Sequence, residues 1–481
     1  MSVKQHNHRE VKLGILAAFA GFILMVFELV AARVLAPTIG SSTYVWTSVI
    51  GVIILALSAG YWWGGKIADL RARQSDIGLL FLAVACAIAV TAIIQTGFLQ
   101  AVSEWQVDVR LAAVIASLVL FALASFLIGA ISPYLAKLNV VSLSTSGSAV
   151  AHLGALNSLG GIVGTFLTGF LLFEVMGARA ILTMLIILCA GLAWWSGLVW
   201  RTRNVALLLV AFLLALLASS GGMTTTIDTA SAHYTIKTVQ ADNQELRLLA
   251  SGPGGTQSGV FVGAPEELAF WYTREIARVV SLGQQPKNIL ILGGGAYTLP
   301  AYFANHYPKA QIDVVEIDPQ LAGIAEQYFA YRRPANVTHI AADARTYVNH
   351  AASSYDVVIV DAFGDDSMPL GLVTAEYGAV LKRIVAPGGT VLANILVGEQ
   401  GVCGELLHAV TRPYMDQFAH GYFVRAAKHS HRSNTIAVFS DSEQQIEGYR
   451  MLRPGVGQRF TDDFNAVTSL EFACKQQAKS G

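Results

Sequence analysis

"NILILGGGAYTLP" (Asn288–Pro300) decides how the second half of this chain is read. Asn288 to Leu292 is a short apolar run of strand length, and three glycines follow it. "TLPAYFANHY" then has the spacing of a helix. Glycines between a strand and a helix let the backbone come close to a ligand, and the helix N-terminus favours negative or electron-rich groups. Gly293 and Gly295 are therefore candidate binding positions. The stretch is not a P-loop, because the Gly-Lys-Ser/Thr ending is missing. It also lacks the last glycine of the GxGxxG fingerprint, which argues against NAD.

Outward from this loop, strands and helices alternate. "QIDVVEID" reads as a strand, "PQLAGIAEQYF" as a helix, and "VTHIAAD" and "YDVVIVDA" as two further strands. "TAEYGAVLKRIV" reads as a helix and "GGTVLANIL" as a strand. This alternation predicts an α/β doubly wound parallel sheet, whose ligands bind at the carboxyl ends of the strands. Acids gather at those ends. Glu316 lies about 20 residues past the glycines, where an acid accepts the hydroxyls of a ribose. Asp343, with Ala344, ends the next strand, a place to read an adenine. Asp361 ends the one after, followed by Asp365 and Asp366. Each acid alone reads as a solvated loop residue, whereas acids at successive strand ends read as a nucleoside pocket. Upstream, "HYTIKTVQADNQELRLLASG" predicts a β-hairpin turning at Ala241-Asp242-Asn243. "PEELAFWYTREIARVVSL" predicts a helix whose first turn holds Pro265, Glu266 and Glu267.

The first half is of another kind. The whole chain is 54% hydrophobic and 13% charged, against about 25% charged in soluble domains, and the charges are sparse before Ser220. Roughly seven apolar runs approach spanning length: Leu13–Ala36, Tyr44–Gly64, Ile77–Ala101, Leu111–Ala136, Val150–Met176, Ala180–Trp200 and the shorter Val205–Ser220. The expected organisation is a cytoplasmic tail (1–12), a membrane domain of about seven helices (13–220), a polar linker (221–232) and a soluble domain (233–481). Lys4, Arg9, Lys12, Lys66, Arg71, Arg73, Lys137, Arg201 and Arg203 fall on one side of that layout and place the N-terminus in the cytoplasm. Seven spans would then put the soluble domain outside.

"FELVAAR" and "FEVMGAR" repeat a Glu–Arg pattern at Glu28/Arg33 and Glu174/Arg179. This reads as a polar site or as interface carboxylates paired with arginine. Gly160 and Gly164 form GxxxG spacing, a helix-packing signal. Pro133 is expected to end or kink the fourth span. Four cysteines, Cys86, Cys189, Cys403 and Cys474, lie far apart and indicate neither a metal site nor a disulfide framework. The net charge of +0 does not suggest nucleic acid.

Taken together, "GPGGTQSGVF", "NILILGGGAYTLP", "VVEIDP", "ADAR", "YDVVIVDAFGDDSMPLGLVTAEY", "RSNTIAVF" and "TDDFNAV" resemble the spermidine synthases, the polyamine aminopropyltransferases. "GFILMVFELVAARVLAPTIGSSTYVW" and "LNSLGGIVGTFLTGF" are similar to bacterial members that carry a multi-span N-terminal region. The resemblance implies a Rossmann-like, S-adenosylmethionine-dependent transferase type of fold after a multi-span α-helical domain. It implies a multi-pass protein of the bacterial inner membrane that transfers an aminopropyl or related alkyl group to an amine or polyamine. Decarboxylated S-adenosylmethionine or a related nucleoside would be the co-substrate, with no prosthetic group. Glu316 would hold the ribose and Asp343 with Ala344 the adenine. Gln257 would lie near the sulfur, and Asp361 would be the base. The lipid bilayer is the other expected partner, and a homodimer is left open.

The family loop reads GGGDG, whereas here Ala296 and Tyr297 stand in the last two places. Asp365 or Asp366 would supply the second acid after the base. The alternative reading is a membrane transporter or sensor with a regulatory or inactive nucleoside-binding domain.

Overall fold

The computed structural model describes residues 3–40, 42–104, 108–140, 146–196, 225–229, 231–241, 244–251, 256–362, 368–426 and 432–480. The chain divides into two units, Met1–His233 and Tyr234–Gly481.

The first unit is helical: α1 (Val3–Ile39), α2 (Thr43–Leu70), α3 (Gln74–Glu104), α4 (Val109–Asn139), α5 (Ser146–Leu167) and α6 (Ala178–Trp195), with β1 (Thr225–Asp228) after them. A turn of π helix, Thr168–Leu172, extends α5. Among the described residues six helices are long and apolar enough to cross a membrane. The seventh run, Val205–Ser220, lies outside the described residues. The glycines of α5 serve packing, as GxxxG spacing suggests. A Cβ on Gly160 would run into the backbone of Ala18, and one on Gly164 would lie 2.8 Å from the Phe22 carbonyl oxygen. Pro133 does not end α4, which continues to Asn139. Arg33 lies over the Phe173 ring and donates to the Thr229 carbonyl, and Arg179 donates to Thr96.

In the second unit β2 (His233–Ala241), β3 (Gln244–Ser251), β4 (Thr256–Phe261) and β5 (Ala264–Leu268) are successive antiparallel neighbours. Asp242 and Asn243 of the expected turn lie outside the described residues. The helix expected from Pro265 is corrected: α7 runs Trp271–Leu282. Pro265, Glu266 and Glu267 lie in β5, because pairing with β4 at Val260–Leu268 and Phe261–Ala264 claims their backbone.

An eight-stranded sheet follows, formed by β6 (Asn288–Leu292), β7 (Gln311–Glu316), β8 (Val337–Ala341), β9 (Tyr355–Val360), β10 (Val385–Val397), β11 (His420–Arg425), β12 (Ser433–Ser440) and β13 (Arg450–Met451). Its order is β13-β11-β12-β10-β9-β6-β7-β8. β10, β9, β6, β7 and β8 are parallel, and β12 runs antiparallel to β10. The helices of this layer are α8 (Thr298–His306), α9 (Leu321–Tyr328), α10 (Ala344–His350), α11 (Ala375–Ile384), α12 (Gly401–Met415) and α13 (Val467–Ser480). This is a doubly wound, Rossmann-like α/β sheet. α10 was not legible in the sequence. It supplies the crossover that two parallel strands require.

Ile289 to Leu292 and Val358 to Val360 are fully buried. Strands covered on both faces read as continuous apolar runs, and each such side chain contributes about 1.5–3 kcal/mol. The cysteine reading is also corrected. Cys403 on α12 and Cys474 on α13, 71 residues apart, form a disulfide. Only packing of the two helices brings their Cα atoms to 4.6 Å, so no local spacing announces the pair.

Candidate active site

The chain order around the sheet reverses between β6 and β9, which makes their carboxyl ends the switch point. Gly293 leaves β6 with φ +105, a conformation that favours glycine. A Cβ there would run into the Asp361 carbonyl oxygen. Gly293 N–H donates to Val315 O and Asp361 N–H to Leu292 O, both at 2.8 Å. The loop is thus tied to β7, and the candidate base to the end of β6 just before the loop. Gly295, φ +52, lies against Ser258 of β4.

Glu316 ends β7 and turns back to the loop. Its Oε2 accepts from Gly294 N–H at 2.7 Å and its Oε1 from Asp318 N–H at 3.0 Å. Burial raises its pKa above the usual carboxylate value, and these two amides work against that rise. Each carboxylate oxygen keeps further acceptor capacity for a diol. Asp343 has a structural task as well. It caps α10, its Oδ1 accepting from Thr346 N–H at 2.8 Å, and it is exposed. Ala344 is half-buried as the first residue of that helix.

Asp361 keeps part of its surface open to solvent, yet its carboxyl lies deep among protein atoms. That desolvation pushes its pKa up to about 7. Asn394 lowers it, and Glu316 is the charged group that raises it further. Asn394 Nδ2 donates to Asp361 Oδ1 at 2.8 Å, and Asn434 Nδ2 donates to Asn394 Oδ1 at 3.0 Å. Asn394 lies on β10 and Asn434 on β12, and sequence reasoning found neither. The one sequence signal for Asn394 is an amide inside an otherwise apolar strand, "TVLANILV".

Gln257 lies exposed on β4, and its backbone carbonyl accepts from Tyr272 Oη. Asp365 and Asp366 lie outside the described residues. Tyr297 was missed. It adopts φ +56, is 2% exposed, and its ring centroid lies 4.9 Å from Tyr331 and 5.3 Å from His339. Tyr331 Oη and His339 Nε2 are hydrogen-bonded at 2.7 Å. Ala296 beside it is also buried. The loop therefore follows a glycine-type backbone path with a tyrosine side chain packed against β8.

The spermine/spermidine synthase domain family matches residues 269–400. The C-terminal part of this chain carries a spermidine synthase domain. The match contains Gly293, Gly295, Glu316, Asp343, Ala344, Asp361 and Asn394, and leaves out Gln257, Asn434 and α13. The polyamine aminopropyltransferase of Vibrio vulnificus (strain CMCP6) is 33% identical over 132 residues, 27% of this chain and 44% of that protein. Polyamine aminopropyltransferase 1 of Streptomyces coelicolor (strain ATCC BAA-471 / A3(2) / M145) is 25% identical over 406 residues, 77% of this chain and 73% of that protein. That span is longer than the second unit and so enters the helical one. A probable spermidine synthase from Corynebacterium glutamicum ATCC 13032 matches in structure with a TM-score of 0.43 and 23% identity, over 50% of this chain and 97% of that one. The chain spans under half the length of the Vibrio relative.

Proposed function

We propose that this chain is a membrane-bound transferase that moves an aminopropyl or related alkyl group from an S-adenosyl donor to an amine or polyamine. The observation that carries the reading is Asp361 at the switch point, its carboxyl desolvated, bonded to Asn394, and with a pKa pushed up to about 7. A base works best with a pKa near the operating pH. In the proposed step the neutral amine nitrogen attacks the carbon beside the sulfonium. The carbon–sulfur bond breaks, its electron pair stays on sulfur, and methylthioadenosine leaves. The proton lost by the new ammonium passes to the Asp361 carboxylate. Glu316 would hold the ribose beside the glycine loop, Asp343 and Ala344 the adenine, Gln257 the sulfur end, and Asp365 or Asp366 the acceptor. Ala296 offers no carboxylate to an aminopropyl ammonium, so a donor without that ammonium is expected to bind comparably.

The test is nucleoside binding and methylthioadenosine release by the full-length protein, across a panel of S-adenosyl donors and amines. No binding to any S-adenosyl compound would overturn the reading.

The proposed location is the bacterial inner membrane, with the spermidine synthase domain on the outer, oxidising side. The apolar helices and the lysine and arginine distribution support the membrane location. The outer side rests on the Cys403–Cys474 disulfide and requires Val205–Ser220 as a seventh span, since six spans would return the chain to the cytoplasm. A reporter fused after Gly481 checks it, and a cytoplasmic signal would reverse the assignment.

A further inference from the structure

The C-terminal helix α13 lies outside the matched domain, yet it leads by side-chain contacts to the candidate base. Glu471 on this helix is 2% exposed. Its Oε2 accepts from Met368 N–H at 3.2 Å, and its Oε1 faces Arg432 Nη2 at 3.4 Å and Lys475 Nζ at 3.1 Å. Arg432 Nε in turn donates to Leu396 O at 3.2 Å, at the end of β10. Arg432 immediately precedes β12, and two residues on stands Asn434, which holds Asn394, which holds Asp361. The ends of β10 and β12 are thus gripped twice, once by the asparagines facing Asp361 and once by the arginine bound to Glu471.

A buried carboxylate is a poor source of stability. Its desolvation cancels much of what the ion pair contributes, whereas its removal strands the partner groups. Its effect is on geometry. That geometry would be lost in a terminal helix free to fray. Cys474 stands three residues from Glu471, hence on the same face, and its disulfide to Cys403 pins that face to α12. Gln477 adds a second tie. Its Oε1 accepts from Val402 N–H at 2.9 Å and its Nε2 donates to Gln400 O at 3.2 Å.

We propose that Glu471, clamped by the Cys403–Cys474 disulfide, is a positioning residue that sets the Asn434–Asn394–Asp361 line through Arg432. This rests on Asp361 being the base of the transferase.

The experiment compares full-length wild type with Glu471→Ala, Glu471→Gln and the Cys403→Ser/Cys474→Ser pair. The readouts are kcat and KM for methylthioadenosine release, and amide hydrogen exchange over 394–397 and 432–436. In Glu471→Ala, kcat should fall roughly tenfold to hundredfold, the size of a sub-ångström to ångström misplacement. Donor KM should stay within about twofold, since ground-state binding is untouched. Exchange should quicken over 432–436 and remain unchanged over β6 and β7. Glu471→Gln keeps one acceptor oxygen, enough for Arg432 but not for Met368 N–H as well, and should recover part of kcat. The serine pair should fall between the two.

Wild-type kcat and exchange in Glu471→Ala would overturn the proposal. So would an equal loss in the Ala and Gln variants accompanied by faster exchange across the whole sheet, which is general destabilisation. If wild type releases no methylthioadenosine with any donor, the transferase reading fails. Exchange over 432–436 then still decides whether Glu471 orders the line to Asn434.

Discussion

In the helical unit α1 and α5 meet backbone against backbone at Gly21 and Gly160, whereas in the spermidine synthase domain neighbouring strands are joined beyond their ladder by side chains, Asp361, Asn394 and Asn434. The first kind of contact needs the absence of a side chain. The second needs particular polar ones. Fully buried hydroxyls in the helices, on Ser117, Ser125 and Thr168, have no hydrogen-bond partner. At the strand ends Glu316, Asp361 and Asn394 are each bonded. Close packing of apolar helices thus tolerates polar atoms as passengers, while the open ends of a parallel sheet gather and orient them for chemistry.

The largest expected effect tests the sheet side of this contrast. Asp361→Asn keeps the shape and removes the base. Turnover should fall about 10²–10⁴-fold with donor affinity largely kept, as measured by methylthioadenosine release and calorimetric binding. Retained turnover would mean that the polar line at β9 and β10 does no proton transfer.

The helix side is tested by Gly160→Leu. The added side chain would have to enter the backbone of Ala18, an overpacking cost of about 3 kcal/mol. The expected result is loss of the monodisperse detergent-solubilised protein on size exclusion. Gly191→Ala, whose Cβ meets nothing within 4 Å, serves as the tolerated control.

Tyr297→Gly sets two terms against each other at the loop. The left-handed backbone is relieved by about 1–2 kcal/mol. Losing a ring that is 2% exposed costs about 3–5 kcal/mol. The cavity wins, so urea melting should show a net loss of about 2 kcal/mol.

The smallest effect is a pH dependence. In the folded chain Asp361 titrates at about 7, against about 3.9 when unfolded. Between these values the folded state holds a proton that the unfolded state has lost. The stability from this group is therefore full below about pH 4 and is lost as pH rises through 7. Asp361→Asn should leave the melting temperature unchanged at pH 4 and raise stability at pH 8, on the order of 1–2 kcal/mol given the half-open surface. Equal stability changes at both pH values would place the carboxyl in water.

Much of the sheet was legible because its central strands are buried on both faces. "NILIL" and "VVIV" admit few other readings. The strand-end acids Glu316, Asp343 and Asp361 could be picked out because period and topology place such residues together. The false helix start at Pro265 had a physical cause. Proline followed by two acids is a good first turn, but pairing with β4 outweighed that local preference. Asn394 showed only as an amide in an apolar strand, and Asn434 and Glu471 are ordinary polar residues until distant segments meet.

What the amino-acid order determined by itself was local: apolar period, glycine loop, acids at strand ends, and two halves of opposite composition. It did so because these features act within a few residues. Tertiary structure alone decided that Cys403 meets Cys474 and that Tyr297 fills the place of a loop glycine against Tyr331 and His339. It also decided that Asp361 stands desolvated under Asn394, with a pKa far from that of a surface carboxylate. Desolvation depends on what every other segment places around the group, and no stretch of sequence carries that information alone.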